Sequence, residues 1–321
     1  MDPSQAKQSH DMDINTMGCS IPSLSMRDYV AELAKTGKRV VPGSSGTFWI
    51  SYEGAGMVRL PTFVLATPAH DEIWYVFVRG KAAVVSFLRE PNGQYPTNAW
   101  LYICSDQTYR MEKLAPAMRR NVRRGLKELR IAPITTDQLL AHGAPAFSDT
   151  RRRVGLSDGT PEEFVRRFAL RSQCPGHVFL GAWKGKELAA FLSIIEVEDW
   201  AEIEGCFSRD ALLDSRPNDA LLYVALSRYL VEERRRLVSY GVSSIQSESN
   251  AVGLHAFKVK VGFQTQPVHR VFIFHPFLRP FANRLGLWGI KAIAWFSPRN
   301  RVLKKAEGVL AAISWKQGQN L

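Results

Sequence analysis

Cysteine is scarce in this chain, with four in 321 residues. Cys19, Cys104, Cys174 and Cys206 lie far apart and form no C-x-x-C pair. That excludes a zinc ribbon and a disulfide framework, so a reducing, cytoplasmic setting is expected. Long hydrophobic runs are missing too. Apolar residues make up 45% of the chain, yet no stretch approaches the roughly 18 unbroken apolar residues of a spanning helix. The opening "MDPSQAKQSHDMDINTMGCS" has no basic start followed by an apolar run, so no signal peptide is expected. Residues 1–24 read as a mobile tail. Zinc-finger, RNP and helix-turn-helix patterns are absent, which argues against sequence-specific DNA binding.

What is present begins with charge. The net charge is +12, and two segments account for it. Residues 110–130 carry net +6 and residues 277–321 net +7, leaving the rest of the chain close to neutral. Two basic surfaces on a near-neutral body suit an anionic partner such as nucleic acid, a phosphorylated carrier, anionic lipid or a nucleotide-sugar. Solvated helix faces are the plainer alternative for each segment.

The periodicities predict a mixed α/β (α+β) chain. A helix capped by Ser25 opens it, and a β-rich block follows: "TFWISYEG", "GMVRLPTFVLA", "EIWYVFVRGKAAVVSFLRE" and "AWLYICSD", with a hairpin turn at 79–81. In "KLAPAMRRNVRRGLKELRI", apolar Leu114, Met118, Val122, Leu126 and Leu129 recur at helical spacing, and Arg119, Arg120, Arg123, Arg124 and Lys127 cover the remaining surface. A polar stretch near 143–160 separates two expected halves, residues 25–150 and 151–276. The second half reads as helix, three strands ("HVFLGAWKG", "ELAAFLSIIEV", "WAEIEGCFS"), one long helix over 218–241, a strand "VSSIQSES", a short helix "GLHAFKVKVG" and a closing strand "HRVFIFHP". Residues 277–321 alternate Trp, Phe, Leu and Ile with Arg and Lys. They fit a helix lying in an anionic membrane interface or, equally, a terminal cap on the core.

The order of elements over 177–275 resembles the second half of a GNAT-like (N-acetyltransferase) fold. Several residues narrow the resemblance to the FemABX peptidyltransferases and their relatives: "RRNVRRGLKEL", Arg216-Pro217, Ala220-Leu221-Leu222, and Phe257-Lys258 with Gly262. The stretch "SRDALLDSRPNDALL" contains no glycine where GNAT enzymes carry a glycine-rich loop for the CoA pyrophosphate. The resemblance implies two GNAT-like halves, each with a mainly antiparallel sheet flanked by helices. It also implies a cleft where two strands part, here "WAEIEGCFS" and "VSSIQSES". The implied activity is transfer of an acyl or aminoacyl group to an amine. The donor would be acyl-CoA, an acyl-carrier protein thioester or aminoacyl-tRNA, with no tightly bound cofactor and no metal. The rival from another class is a non-catalytic module that binds RNA or an anionic membrane surface. The expected location is cytoplasmic, peripheral at the inner face of the membrane.

Within that frame Lys258 is the candidate to stabilise an oxyanion or hold a donor phosphate, against the alternative of a snorkelling lysine. Lys260 reads as solvated. Strand alternation puts Glu202, Glu204 and Cys206 on one face, with Glu202 or Glu204 as general base or as a solvated strand face. Cys206 reads as a small buried thiol. Arg216 and Asn218 start the long helix, where free N–H groups favour anions. Ser247, Asn250 and Phe257 complete the expected substrate-binding set, Asn250 serving equally well as a helix cap and Phe257 as core. Arg120, Arg123 and Arg124 are expected to recruit the anionic donor. His255 could shuttle protons, although a packed or surface role is commoner.

Overall fold

A computed structural model describes residues 24–52, 55–156, 159–243 and 248–281. The expected N-terminal tail, Ser247 and most of the basic C-terminal segment lie outside these residues, as does the side chain of Asn250. The chain runs α1 (Met26–Lys35), β1 (Val40–Pro42), β2 (Phe48–Tyr52), β3 (Gly56–Leu60), α2 (His70–Arg79), β4 (Val84–Arg89) and β5 (Ala99–Cys104). There follow α3 (Pro116–Glu128), β6 (Arg130–Pro133), α4 (Thr136–His142), α5 (Ala144–Arg153) and α6 (Pro161–Phe168). The last part comprises β7 (His177–Lys184), β8 (Glu187–Val197), β9 (Trp200–Ser208), α7 (Pro217–Leu226), β10 (Leu237–Val242), α8 (Glu248–Val261) and β11 (Gln264–Phe274).

All eleven strands join one sheet in the order β1-β2-β3-β4-β11-β5-β10-β9-β8-β7-β6. Most pairs are antiparallel, and β3–β4 and β9–β10 are parallel. The expected α/β class and the β-β-β-α-β-α-β order of the second half are therefore observed. β5, from the earlier part of the chain, pairs with both β10 and β11 from the later part, so the sheet is continuous through its centre. α3 and α7 cover one face, with Met118, Val122, Leu221, Leu222 and Leu226 packed on Leu192, Ile194 and Ile203. Phe147, Phe164, Phe168, Phe191 and Phe207 form an aromatic cluster beneath α5 and α6 on the other. The cap read from the sequence is present, Ser25 accepting from the Asp28 amide, and Thr160 likewise accepts from the Glu163 amide.

Three expectations change. "EIWYVFVR" is helix α2 rather than strand, so 79–81 links a helix to β4 and is no hairpin. Its aromatic and β-branched residues favour strand locally. Burial of Ile73, Val76 and Phe77 at helical spacing against Trp49, Val85 and Phe87 decides otherwise. The polar stretch after 143 is mostly helix α5, packed on β8 and β9 through Phe147. The long helix ends early: α7 passes into a π turn over Ser227–Glu232, Arg234 takes φ +56°, and β10 starts at Leu237. The Arg235 guanidinium bonds to Glu233 and Glu196, and the Arg236 amide donates to the Asp199 carbonyl. The charged run "EERRR" is thus an ion-paired turn. "LVSYGV", which reads as the end of a helix, is the strand beside β9.

α3 approaches the start of α7 at Gly125, where an added Cβ would lie 2.7 Å from Ala220 Cβ and 2.9 Å from the Arg216 carbonyl. Gly125→Val should overpack this contact and destabilise the protein by about 1–3 kcal/mol in urea or thermal unfolding. An unchanged midpoint would show that the two helices separate freely.

Candidate functional site

The site begins where two strands part. β9 and β10 pair in parallel at only three positions, Leu237 with Trp200, Val238 with Ala201 and Ser239 with Glu202. Beyond Ser239, β10 bulges across Tyr240 and Gly241, whose φ is +65°, and pairs with β5 up to Val242. β9 continues beside β8 to Ser208. Among the described residues, the edge of β9 that faces β10 therefore has no strand partner past Glu202, and the Tyr240 side chain bridges to Cys206 there. One arm of this opening is the expected "WAEIEGCFS". The other is Leu237–Val242; the centre of the expected "VSSIQSES", residues 244–247, lies outside the described residues, and its last two residues open α8.

Both candidate carboxylates lie at this opening. Glu202 forms the last β9–β10 pair and is 7% exposed. Its Oε2 accepts a hydrogen bond from Thr62 Oγ1 at 2.8 Å. Burial pushes its carboxyl up to about 7; the Thr62 bond opposes the shift and the Glu204 charge adds to it. Glu204 is more open, with 23% of its side chain exposed, and its Oε2 accepts from Arg171 Nη1 at 2.9 Å and Ser193 Oγ at 3.2 Å. Burial raises its carboxyl, but Arg171 leads a set of favourable neighbours that outweigh burial and hold it below the usual range. His177 Nδ1 lies 3.6 Å from the same oxygen, while Nε2 meets the Tyr29 hydroxyl at 2.9 Å. Burial pushes this imidazole down to about 4, so it is neutral at pH 7. The outcome is one carboxylate held anionic beside one poised near neutrality, the pattern by which a pair of acids divides its roles.

Cys206 does not share their face. A β-bulge on β9, opposite Ser193 and Ile194, puts an extra residue between Ile203 and Gly205 and reverses the alternation. Phe207 joins the aromatic cluster, and Cys206 turns toward α7. There its thiol donates to Asn218 Oδ1 at 3.2 Å and hydrogen-bonds the Tyr240 side chain. Burial pushes the thiol up to about 12, so it stays protonated and is not a nucleophile.

Lys258 is 5% exposed and does not snorkel. α8 turns it inward against β10, where Nζ donates to the Tyr240 carbonyl at 3.1 Å. The amine sits 4.1 Å from the ring centroid of Tyr102 and 4.2 Å from that of Tyr240. Burial pushes it down to about 7. The two ring faces and the carbonyl act in the opposite sense by favouring the ammonium. Lys258 is thus anchored one residue past the end of the β9–β10 pairing, and it is a titratable amine rather than a permanent cation. Lys260 is exposed, Phe257 is half-buried against the core, and His255 Nδ1 meets the Tyr102 hydroxyl at 3.0 Å.

The anion-binding candidates gather at the start of α7. Arg216 is exposed, takes φ +56° as the N-terminal flanking residue, and has its carbonyl against Gly125 of α3. Asn218 is engaged internally: its Nδ2 donates to Ser208 Oγ at 3.1 Å and its Oδ1 accepts from Cys206, so the amide ties α7 to the end of β9. On α3, Arg124 pairs with Glu128 at 2.9 Å. Arg120, Arg123 and Lys127 are exposed and have no ion-pair partner among the described residues. Thr62, Arg171, His177, Ser193, Tyr102 and Tyr240 are part of the site without having stood out in the sequence. Thr62, Arg171, His177 and Tyr102 reach the site from segments distant in sequence, which only the folded chain brings beside β9 and α8.

No family model and no curated protein matches the chain. Among solved structures, FemX superimposes with a TM-score of 0.53 over 81% of this chain and 95% of that one, at 10% identity. The C-terminal domain of a protein described as a lysylphosphatidylglycerol synthetase from Agrobacterium fabrum gives 0.49 at 16% identity, over 75% and 86% of the two chains. L-PGS from Bacillus licheniformis gives 0.45 at 12%, over 80% and 94%. On the FemX superposition, the chain has a FemX-like fold.

The carboxyl of Glu202 is protonated in the folded protein over a range where it is ionised in the unfolded chain. Its contribution to stability is present below about pH 4.5 and is lost as pH rises through about 7. Stability of the native protein should fall relative to Glu202→Gln across that interval and run parallel to it above. Denaturation midpoints that track each other from pH 4.5 to 7 would show that Glu202 titrates normally.

Proposed function

We propose that the chain is an acyl- or aminoacyl-transferase that moves its group from a thioester or aminoacyl-ester donor to an amine. The parting of β9 and β10 beside Glu202 is the observation that carries the reading. An extended acyl segment can lie against the edge of β9 past Glu202, with its carbonyl near the backbone N–H groups there and Lys258. The amine nitrogen attacks the carbonyl carbon, and Glu202, in its ionised form, takes the proton that the nitrogen sheds. The tetrahedral oxyanion is stabilised by N–H donors and by Lys258 when protonated. Collapse breaks the bond to the thiol sulfur or ribose oxygen, which leaves with the proton handed back by Glu202. Glu204 remains anionic beside Arg171 and adds to the burial that raises the Glu202 carboxyl. The exposed Arg120, Arg123 and Lys127 on α3, next to Arg216, supply a cationic surface for a phosphate-rich donor. No glycine-rich loop precedes α7, and Asn218 is committed to β9. These two features favour a donor held through α3 and Arg216 over one cradled by a glycine loop.

The test is donor turnover by the purified full chain with aminoacyl-tRNA, acyl-carrier thioester and acyl-CoA, each with amine acceptors. The rate should rise with pH as Glu202 ionises and fall as Lys258 loses its proton, giving a bell centred near about 7, and Glu202→Gln should lower kcat by about 10²–10⁴-fold. Arg120→Ala with Arg123→Ala should raise KM for a nucleic-acid donor and flatten its salt dependence by roughly one unit of log–log slope for each phosphate no longer neutralised. Failure of every donor to turn over would leave a binding module in place of an enzyme.

A further inference from the structure

α2 is apolar on both sides. Ile73, Val76 and Phe77 are buried beneath it, while Trp74, Tyr75 and Val78 on its outer side are 50%, 45% and 58% exposed. A helical segment apolar on both sides, as Ile73–Val78 is, is normally covered by something. The exposed surface continues into the turn after β11. The His275 ring stacks on Trp74 with 6.2 Å between centroids and meets Phe277 at 5.3 Å. Phe277 is 83% exposed and Leu278 39%. The rim carries exposed Arg79, Lys81 and Arg279 at one end and the carboxylates of Asp71 and Glu72 at the other, with the cations in excess. The chain leaves the described residues at Phe281, beside this patch, and residues 282–321 carry seven Lys and Arg against one Glu, interspersed with Trp288, Trp295, Phe296 and Trp315.

The geometry points to α2 and the 276–281 turn as a docking face for an anionic lipid bilayer. Trp and Tyr with a cationic rim suit the headgroup boundary, where rings bury and charges meet lipid phosphate. RNA fits less well, because phosphate contacts leave Val78, Phe277 and Leu278 uncovered. Among the described residues no helix is long and apolar enough to cross a membrane, so this is attachment to a surface. The inference does not rest on the transfer reaction.

The full chain should co-sediment with vesicles of roughly 70:30 phosphatidylcholine:phosphatidylglycerol and much less with phosphatidylcholine alone. Trp74→Ser, Tyr75→Ser and Val78→Ser combined should weaken partitioning to the anionic vesicles by about tenfold or more. The unfolding midpoint should stay in place, because these side chains face outward. Phe277→Ser, on a different element, should act in the same direction. Three outcomes would overturn the inference: no binding by the native chain, equal binding by native and substituted chains, or substitutions that change the oligomeric state or lower the unfolding midpoint. The second would mean that residues 282–321 act by charge alone. The third would mean that a second copy, or the chain's own C-terminal segment, covers the patch.

Discussion

The shortness of the β9–β10 pairing governs the rest of the site. A central strand normally satisfies its backbone on both edges. β9 has β8 along its whole length but β10 for three residues only, because β10 is drawn aside to β5. Two irregularities make this possible: the Tyr240–Gly241 bulge steers β10 away, and the bulge at Glu204 reorients the far end of β9. Without the first, β10 would follow β9 and close the opening. Without the second, Cys206 would point with the carboxylates, and Glu204 would lose its place between Arg171 and Ser193.

The same arrangement sets the electrostatics. Glu202 lies at the closed end of the opening, where β10 still covers it, and burial outweighs its single bond to Thr62. Glu204, beyond the last pair, is partly open and reaches Arg171. Two carboxylates on one strand therefore diverge because one sits where the strands meet and the other where they have separated. Neither needs a charged partner brought from outside the fold.

The sequence made most of the β7–β11 region legible, and with it the fold, because strand alternation and tight turns at Gly185 and Glu198 are local signals. Glu202, Glu204 and Lys258 could be picked out by type and position. Their environments could not. That Glu202 is near neutral depends on its burial beside Thr62, 140 residues away, and the burial of Lys258 depends on Tyr102 and Tyr240 from two other strands. Where local propensity and tertiary demand disagreed, propensity misled in both directions. The aromatic run at 72–79 favours strand, yet it is helix because its inner residues must cover Trp49 and Val85. "RRRLVSYG" continues a helical pattern, yet it is turn and strand because β9 requires a parallel neighbour. A bulge leaves no mark in composition, so the face of Cys206 was beyond reach.

Tyr240 shows how closely the two sides of the opening are connected. Its side chain hydrogen-bonds Cys206 on β9, its ring meets Phe263 at 5.4 Å, and its ring and carbonyl both hold Lys258. The hydroxyl thus bridges the two strands that part, while the backbone of the same residue anchors the buried amine. Any group that enters between β9 and β10 on this side must rearrange the Tyr240 phenol, and a shift of that ring changes what surrounds Lys258. Removing a ring face or admitting water alters the balance between burial, which favours the neutral amine, and the aromatic faces, which favour the cation. Occupancy of the opening and the charge on Lys258 are therefore linked through one side chain, and any effect of a bound molecule on that charge is returned as an equal effect of that charge on binding.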